Sequence, residues 1–138
     1  MTIVFSYKTI KRPDGTEVRT PSIPITLGTK EKIDTIALLD SGADISAIPK
    51  DIAEILGLDI NKKPSPAYGV GGKVDAIETI MDIAINKGHE HYSFQIPVKV
   101  ILGKYDFPVL LGRAGFFDRF IVSFDHKKEK VMLKKHTS

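Results

Sequence analysis

Along most of the chain, apolar and polar residues alternate with a period of two, which places successive side chains on opposite faces of an extended strand. Ile3, Phe5 and Tyr7 share one face, and Arg12-Pro13-Asp14-Gly15 then supplies the residue types of a turn. Ile23, Ile25 and Leu27 alternate with Pro24 and Thr26. Ile77, Thr79, Met81, Ile83 and Ile85 form a second stripe that ends at the turn Asn86-Lys87-Gly88. Tyr92, Phe94, Ile96, Val98 and Val100 form a third, with Ser93, Gln95 and Lys99 on the opposite face. Phe120, Val122 and Phe124 repeat the pattern, and Val131 with Leu133 closes the chain.

Two short stretches depart from it. From Pro49 to Gly57 the spacing predicts a helix, with Pro at the first position, Gly at the stop, and Ile52, Ile55 and Leu56 as its buried stripe. Arg113 to Asp118 predicts a second, very short helix. No Ser/Gly linker, low-complexity run or long repeat divides the chain, so residues 1–138 read as one domain, mainly β, closed or sandwich-like, with one or two short helices.

Composition narrows the function classes. With 42% hydrophobic and 27% charged residues, the 138-residue chain is that of an ordinary soluble globule, large enough to bury a core. There is no Cys, which excludes disulfides, thiolate metal sites and thiol nucleophiles. The N-terminal residues Met1 to Tyr7 lack the basic and long apolar regions of a signal peptide, and no apolar run approaches membrane-spanning length. The expected setting is cytoplasmic, with no membrane partner. Net charge is +3, and Lys127, Lys128, Lys130, Lys134 and Lys135 cluster near the end. Asp125 and Glu129 interrupt that cluster and no aromatic is interleaved for base stacking, so it reads as a solvated hairpin and not as a nucleic-acid surface. His89-Glu90-His91 puts two imidazoles on one face of a strand, but no third ligand is evident and the segment follows a turn, so no metal site is assigned.

Three other stretches carry chemistry. The apolar run Ile36-Ala37-Leu38-Leu39 ends in Asp40-Ser41-Gly42-Ala43-Asp44, which sets a carboxylate at the tip of a strand, beside a hydroxyl and a glycine that permits a tight turn. Read alone, this is also an ordinary Asp-Ser-Gly turn. Gly69-Val70-Gly71-Gly72 suits a hairpin tip able to fold over a cleft, or a mobile surface turn; a phosphate cradle is disfavoured because no Gly-Lys-Ser/Thr ending follows. Val109-Leu110-Leu111-Gly112-Arg113 is an apolar strand running into a glycine.

In order and spacing these stretches, "LLDSGAD", "GVGG" and "LLGR", resemble the retropepsin-like (retroviral-type) aspartic proteases over roughly Ile33 to Phe120. "GRAGFFDRF" is more similar to cellular, bacterial or archaeal relatives than to viral ones. The resemblance implies a retropepsin-like closed barrel with one lobe per chain and an active site at a homodimer axis. It implies an aspartic endopeptidase without cofactor, acting on peptide or unfolded protein, with Asp40, Ser41 and Gly42 as the catalytic turn. Asp40 of two subunits would form the dyad, since the chain contains a single Asp-Ser-Gly. Ser41 would brace the two loops across the dimer. Ala43, Asp44, Ile45, Gly69, Val70, Gly71, Gly72 and Leu110 would meet the substrate, with Asp44 on its backbone and Ile45, Val70 and Leu110 lining apolar pockets. Gly112 and Arg113 would be structural, Arg113 pairing with Asp44.

The chain departs from the family pattern in three ways. It is longer than a compact viral member, through the Thr9 to Val18 hairpin, the Pro49 to Leu58 helix and the Asn86 to Tyr92 hairpin. Ala114 stands where many members place Asn or Asp. The terminal segments differ enough that the interleaved terminal strands of viral dimers are not assumed for this chain. The alternative within the same fold is a non-catalytic dimer that binds peptide or serves in an assembly.

Overall fold

The computed structural model describes residues 2–69 and 72–137. Its strands are β1 (Thr2–Ser6), β2 (Lys8–Lys11), β3 (Glu17–Thr20), β4 (Ser22–Leu27), β5 (Ile33–Leu39), β6 (Ser46–Pro49), β7 (Ser65–Gly69), β8 (Gly72–Lys87), β9 (Glu90–Ile101), β10 (Val109–Leu111), β11 (Phe120–Asp125) and β12 (Lys130–Lys135). One helix, α1 (Lys50–Leu56), separates β6 from β7.

Six strands close into a ring in the order β4-β5-β10-β6-β9-β8, sealed where Thr26 and Leu27 of β4 pair with Ala84 and Ile83 of β8. Closure removes the exposed edges that an open sheet would leave. The ring's inward residues are the apolar stripes of the sequence: Ile23, Ile25 and Leu27; Ile77, Met81, Ile83 and Ile85; Ile96, Val98 and Val100 are all buried. β7 pairs only with β8 among the described residues, so this hairpin extends beyond the ring.

A second sheet, β1-β12-β11, shares the core through Ile3, Phe5, Val131, Leu133 and Phe120. Phe120 meets Tyr92 edge-on at 5.3 Å between ring centroids and Phe116 at 5.4 Å, which ties this sheet to β9. Both terminal strands therefore find partners inside one chain, with Phe5 opposite Val131 and Val131 opposite Phe124. The basic cluster lies on the β11–β12 hairpin. β2 and β3 form a separate hairpin whose turn is held by Gly15 N–H on Arg12 O at 2.9 Å.

Several local expectations need correction. The helix forms between Pro49 and a left-handed Gly57 (φ 68°), but Ile55 is 58% exposed and Ala53 takes the fully buried place beside Ile52 and Leu56. A seven-residue helix presents only about two turns, and the face it turns to the ring is set by Ala53. Arg113–Phe117 is not a regular helix: extended Ala114 (ψ 121°) and Gly115 (φ 88°) break it into a kinked turn. The β8–β9 turn sits at Gly88-His89, with Lys87 still paired to Glu90. Phe124 remains 42% exposed at the end of its stripe.

Candidate active site

The candidate site is built where three strands meet. β5 runs toward Asp40; the chain turns through Ser41–Ile45 and returns as β6; β10 lies between them, parallel to β5 and antiparallel to β6. The register puts Leu110 beside both Leu38 and Ala47. A strand inserted into the loop of two others needs its own backbone satisfied at the point of exit, and the site does this in sequence. Asp40 N–H donates to Leu111 O at 2.9 Å, Arg113 N–H to Ala43 O at 2.9 Å, and Ala114 N–H to Asp44 O at 2.9 Å. Gly112 N–H donates to the buried Ser46 Oγ at 2.9 Å.

Gly112 is at the tightest point. A Cβ there would stand 2.6 Å from Ile45 C, 2.8 Å from Ile45 O and 2.9 Å from Ala43 O. All three are backbone atoms of the loop that carries Asp40, so no side-chain rotation would relieve the contact.

Asp40 is half-buried at the mouth of the strand. Its Oδ1 accepts the Gly42 N–H at 3.0 Å and its carbonyl accepts the Ala43 N–H at 3.2 Å, an Asx-type turn that fixes the carboxylate's direction. Ser41 and Gly42 are exposed beside it, and Ala43 and Ile45 are half-buried. An apolar strand ends in a carboxylate here because Leu39 faces the core while Asp40, one residue on, faces out.

The other candidate residues fall into two groups. Leu110 is half-buried on the face it shares with Leu38 and Ala47, next to Asp40. Gly69 pairs with Gly72 at the end of the β7–β8 hairpin, and Tyr68 beside them is 78% exposed. Val70 and Gly71 lie outside the described residues.

The Arg113–Asp44 ion pair is not made. The Arg113 guanidinium is directed to Ser41 O, with Nη1 at 3.4 Å. Asp44, whose side chain is 68% exposed, accepts its neighbour Ile45's N–H at 2.9 Å and faces the Lys99 ammonium at 3.8 Å. Arg113 thus secures the turn through a carbonyl, and the cation beside Asp44 comes from β9. Two residues of this site were not singled out in the sequence. Ser46 carries a signal, a small hydroxyl in the apolar run "DISAIP". Lys99 carries none, because its position depends on the parallel pairing of β6 with β9.

Elsewhere, His91 Nδ1 is 2.7 Å from Asn86 Oδ1, and Tyr92 Oη donates to Glu90 Oε2 at 2.9 Å. That bond, with partial burial and the Glu90 charge, holds the Tyr92 phenol above its ordinary pKa. No group of three or more His, Cys, Asp and Glu among the described residues is placed to hold a metal ion, and no helix there is long and apolar enough to cross a membrane.

No family model and no curated protein matches the sequence. Among solved structures, the chain is similar to a retropepsin-like aspartic protease from Rickettsia conorii, with TM-score 0.60 and 21% identity over 96% of this chain and 90% of that one. It is also similar to the retroviral protease-like domain of Ddi1 from Leishmania major, with TM-score 0.53 and 19% identity over 88% of this chain and 91% of that one. The closed six-strand ring, the strand threaded beside Asp40 and these two likenesses together give the chain a retropepsin-like fold.

Proposed function

We propose that the protein is an aspartic endopeptidase that works as a homodimer, with Asp40 of each subunit forming one catalytic dyad. The observation that carries this is the delivery of Asp40, by an otherwise core-facing strand, into a backbone-locked and solvent-accessible turn. The likeness of the whole fold to a protein described as a retropepsin-like aspartic protease supports the same reading. The chain has one Asp-Ser-Gly, so the second carboxylate comes from a second copy.

Two carboxylates held close together cannot both ionise comfortably, and they share a proton as one titrating unit. The ionised member takes a proton from a water as it attacks the peptide carbonyl. The protonated member gives its proton to the carbonyl oxygen; the member that took the water's proton then passes it to the leaving amine as the C–N bond breaks, and the first member recovers a proton from the diol as the new carboxyl forms. Ser41 and Gly42 hold the turn, and Asp44 accepts from the backbone of an extended substrate. The β7–β8 hairpin acts as a flap over it, so that the peptide binds partly as an added strand. Leu38, Leu110 and Ile45 offer apolar surface to the residues next to the cut bond. An extended segment must enter beneath the flaps, which favours unfolded polypeptide over folded protein.

The test is cleavage of a mixed peptide library at several pH values by the wild-type chain and Asp40→Asn, with molecular mass measured in parallel. Cuts that fall at least about a hundredfold in the variant, at unchanged dimer mass, are the expected result. A folded dimer that makes no cuts at any pH would replace this reading with a peptide-binding or assembly module. A chain that stays monomeric while cutting would refute the shared dyad.

A further inference from the structure

The registers of four neighbouring strand pairs place Leu38, Leu110, Ala47, Lys99 and Glu78 in one row across β5, β10, β6, β9 and β8. Their neighbours along each strand, Leu39, Leu111, Ile48, Val100 and Ile77, face the core. The row therefore runs around the outside of the ring, beginning beside the point where Asp40 emerges. Its centre is apolar and one flank is charged.

Lys99 stands out within the row. Its side chain is only 22% exposed, yet among the described residues its ammonium has a single charged contact, Asp44 Oδ1 at 3.8 Å. That separation is beyond hydrogen-bond range, and Lys99 donates no side-chain hydrogen bond among the described residues. Glu78 is directly opposite on β8 but makes no ion pair with it. The stem of Lys99 is packed while its ammonium still reaches solvent, since no buried side-chain nitrogen among the described residues lacks a partner; its donors are held at the site and open to an acceptor that arrives. Asp44 does not fill that role: its carboxylate is turned to the Ile45 N–H and is largely in solvent.

We propose that Lys99 is a specificity-determining residue of this site. It receives a hydrogen-bond-accepting side chain of the substrate, a carboxylate or carboxamide, at a position flanking the cut bond. The inference rests on the proteolytic reading above and makes its subsites unequal: apolar along Leu38 and Leu110, cationic at the flank. β9 is three strands from β5 around the closed ring, and Lys99 approaches the turn through Asp44, at 3.8 Å, and not through Asp40 itself. Lys99 therefore meets a side chain beyond the cleaved pair.

The experiment profiles cleavage of one mixed peptide library by the full chain as wild type, Lys99→Met and Lys99→Glu, with Asp40→Asn as the blank. Lys99→Met keeps most of the aliphatic stem, and thermal unfolding of each variant confirms that it is folded; if the Met variant does not fold, Lys99→Gln takes its place. Expected for the wild type is an enrichment of Glu or Gln over Leu of about tenfold at one flanking position, the scale of one charge-assisted hydrogen bond. Lys99→Met should lose that enrichment, and Lys99→Glu should replace it with Lys or Arg, while the residues on either side of the cut stay the same. Glu enrichment that falls with salt identifies a charge contact, and Gln enrichment that does not identifies a neutral hydrogen bond; both support the assignment. Asp40-dependent cuts with the same flanking profile in all three proteins overturn the role of Lys99 alone. A wild type that makes no Asp40-dependent cuts overturns the proteolytic reading, and this inference with it.

Discussion

Gly112→Ala tests the architecture of the site more sharply than any change to a charged residue. The added Cβ would stand 2.6 Å from Ile45 C, 2.8 Å from Ile45 O and 2.9 Å from Ala43 O, against an ordinary contact of 3.4 Å or more. Relief requires the 43–45 backbone to retreat by half an ångström or more, and that retreat pulls on the Arg113–Ala43 and Gly112–Ser46 hydrogen bonds. Overpacking of this kind costs about 1–3 kcal/mol, and weakening a buried bond adds about 1 kcal/mol. The expected loss is about 3 kcal/mol, which for a chain of this length lowers the melting temperature by roughly 10 °C. Gly57→Ala is the internal control. Gly57 needs a left-handed φ of 68° but has open space around its missing Cβ, so only the conformational cost of about 1–2 kcal/mol applies. Urea and thermal unfolding of the two variants beside wild type measure both. If Gly112→Ala unfolds within 2 °C of wild type, or if Gly57→Ala is the more destabilised (both thresholds set by the magnitudes above), the close approach of β10 to the Asp40 loop does not exist as described.

Removing the Ser46 hydroxyl leaves the Gly112 N–H buried without an acceptor, so Ser46→Ala should cost about 1–3 kcal/mol in chemical denaturation, where a neutral result would exclude the bond. Phe116 is fully buried between Phe117 and Phe120, and Phe116→Ala should cost about 3–5 kcal/mol by the same measurement. Ile55→Ser should change stability by less than about 0.5 kcal/mol because the side chain is 58% exposed; a loss of core-residue size would restore it to the helix's buried stripe. The Tyr92–Glu90 bond raises the phenol pKa above 10.0. Its stabilisation is therefore fully present below the ordinary tyrosine value and is lost as pH rises through the raised one. Ultraviolet titration of wild type against Tyr92→Phe should show one phenol ionising late, and a missing late phase would refute the bond.

The strands were legible because their signal is local. Period-two alternation survives whatever the partner strand is, and the stripes from Ile77 to Ile85 and from Tyr92 to Val100 turn inward as written in the sequence. The helix was legible at its ends, where Pro49 and Gly57 act through their own backbone preferences. Its buried face was not, since Ile55 and Ala53 differ only in which side the ring happens to meet. The Arg113–Phe117 stretch misled for a related reason: short-range spacing suggested a helix, but Gly112 to Ala114 are committed to the 43–46 backbone and leave the helical path at Ala114.

By itself the sequence determined most of the element types, the mainly β character and the single Asp-Ser-Gly, because alternation, turn residues and that tripeptide are properties of neighbours along the chain. Only the tertiary structure decided what stands beside Asp40. The threading of β10 between β5 and β6 leaves no room for a Cβ at Gly112, and the parallel pairing of β6 with β9 brings Lys99 to Asp44 in place of Arg113. Both depend on residues more than fifty positions apart coming into register, and contacts of that range leave no periodic trace in a single sequence.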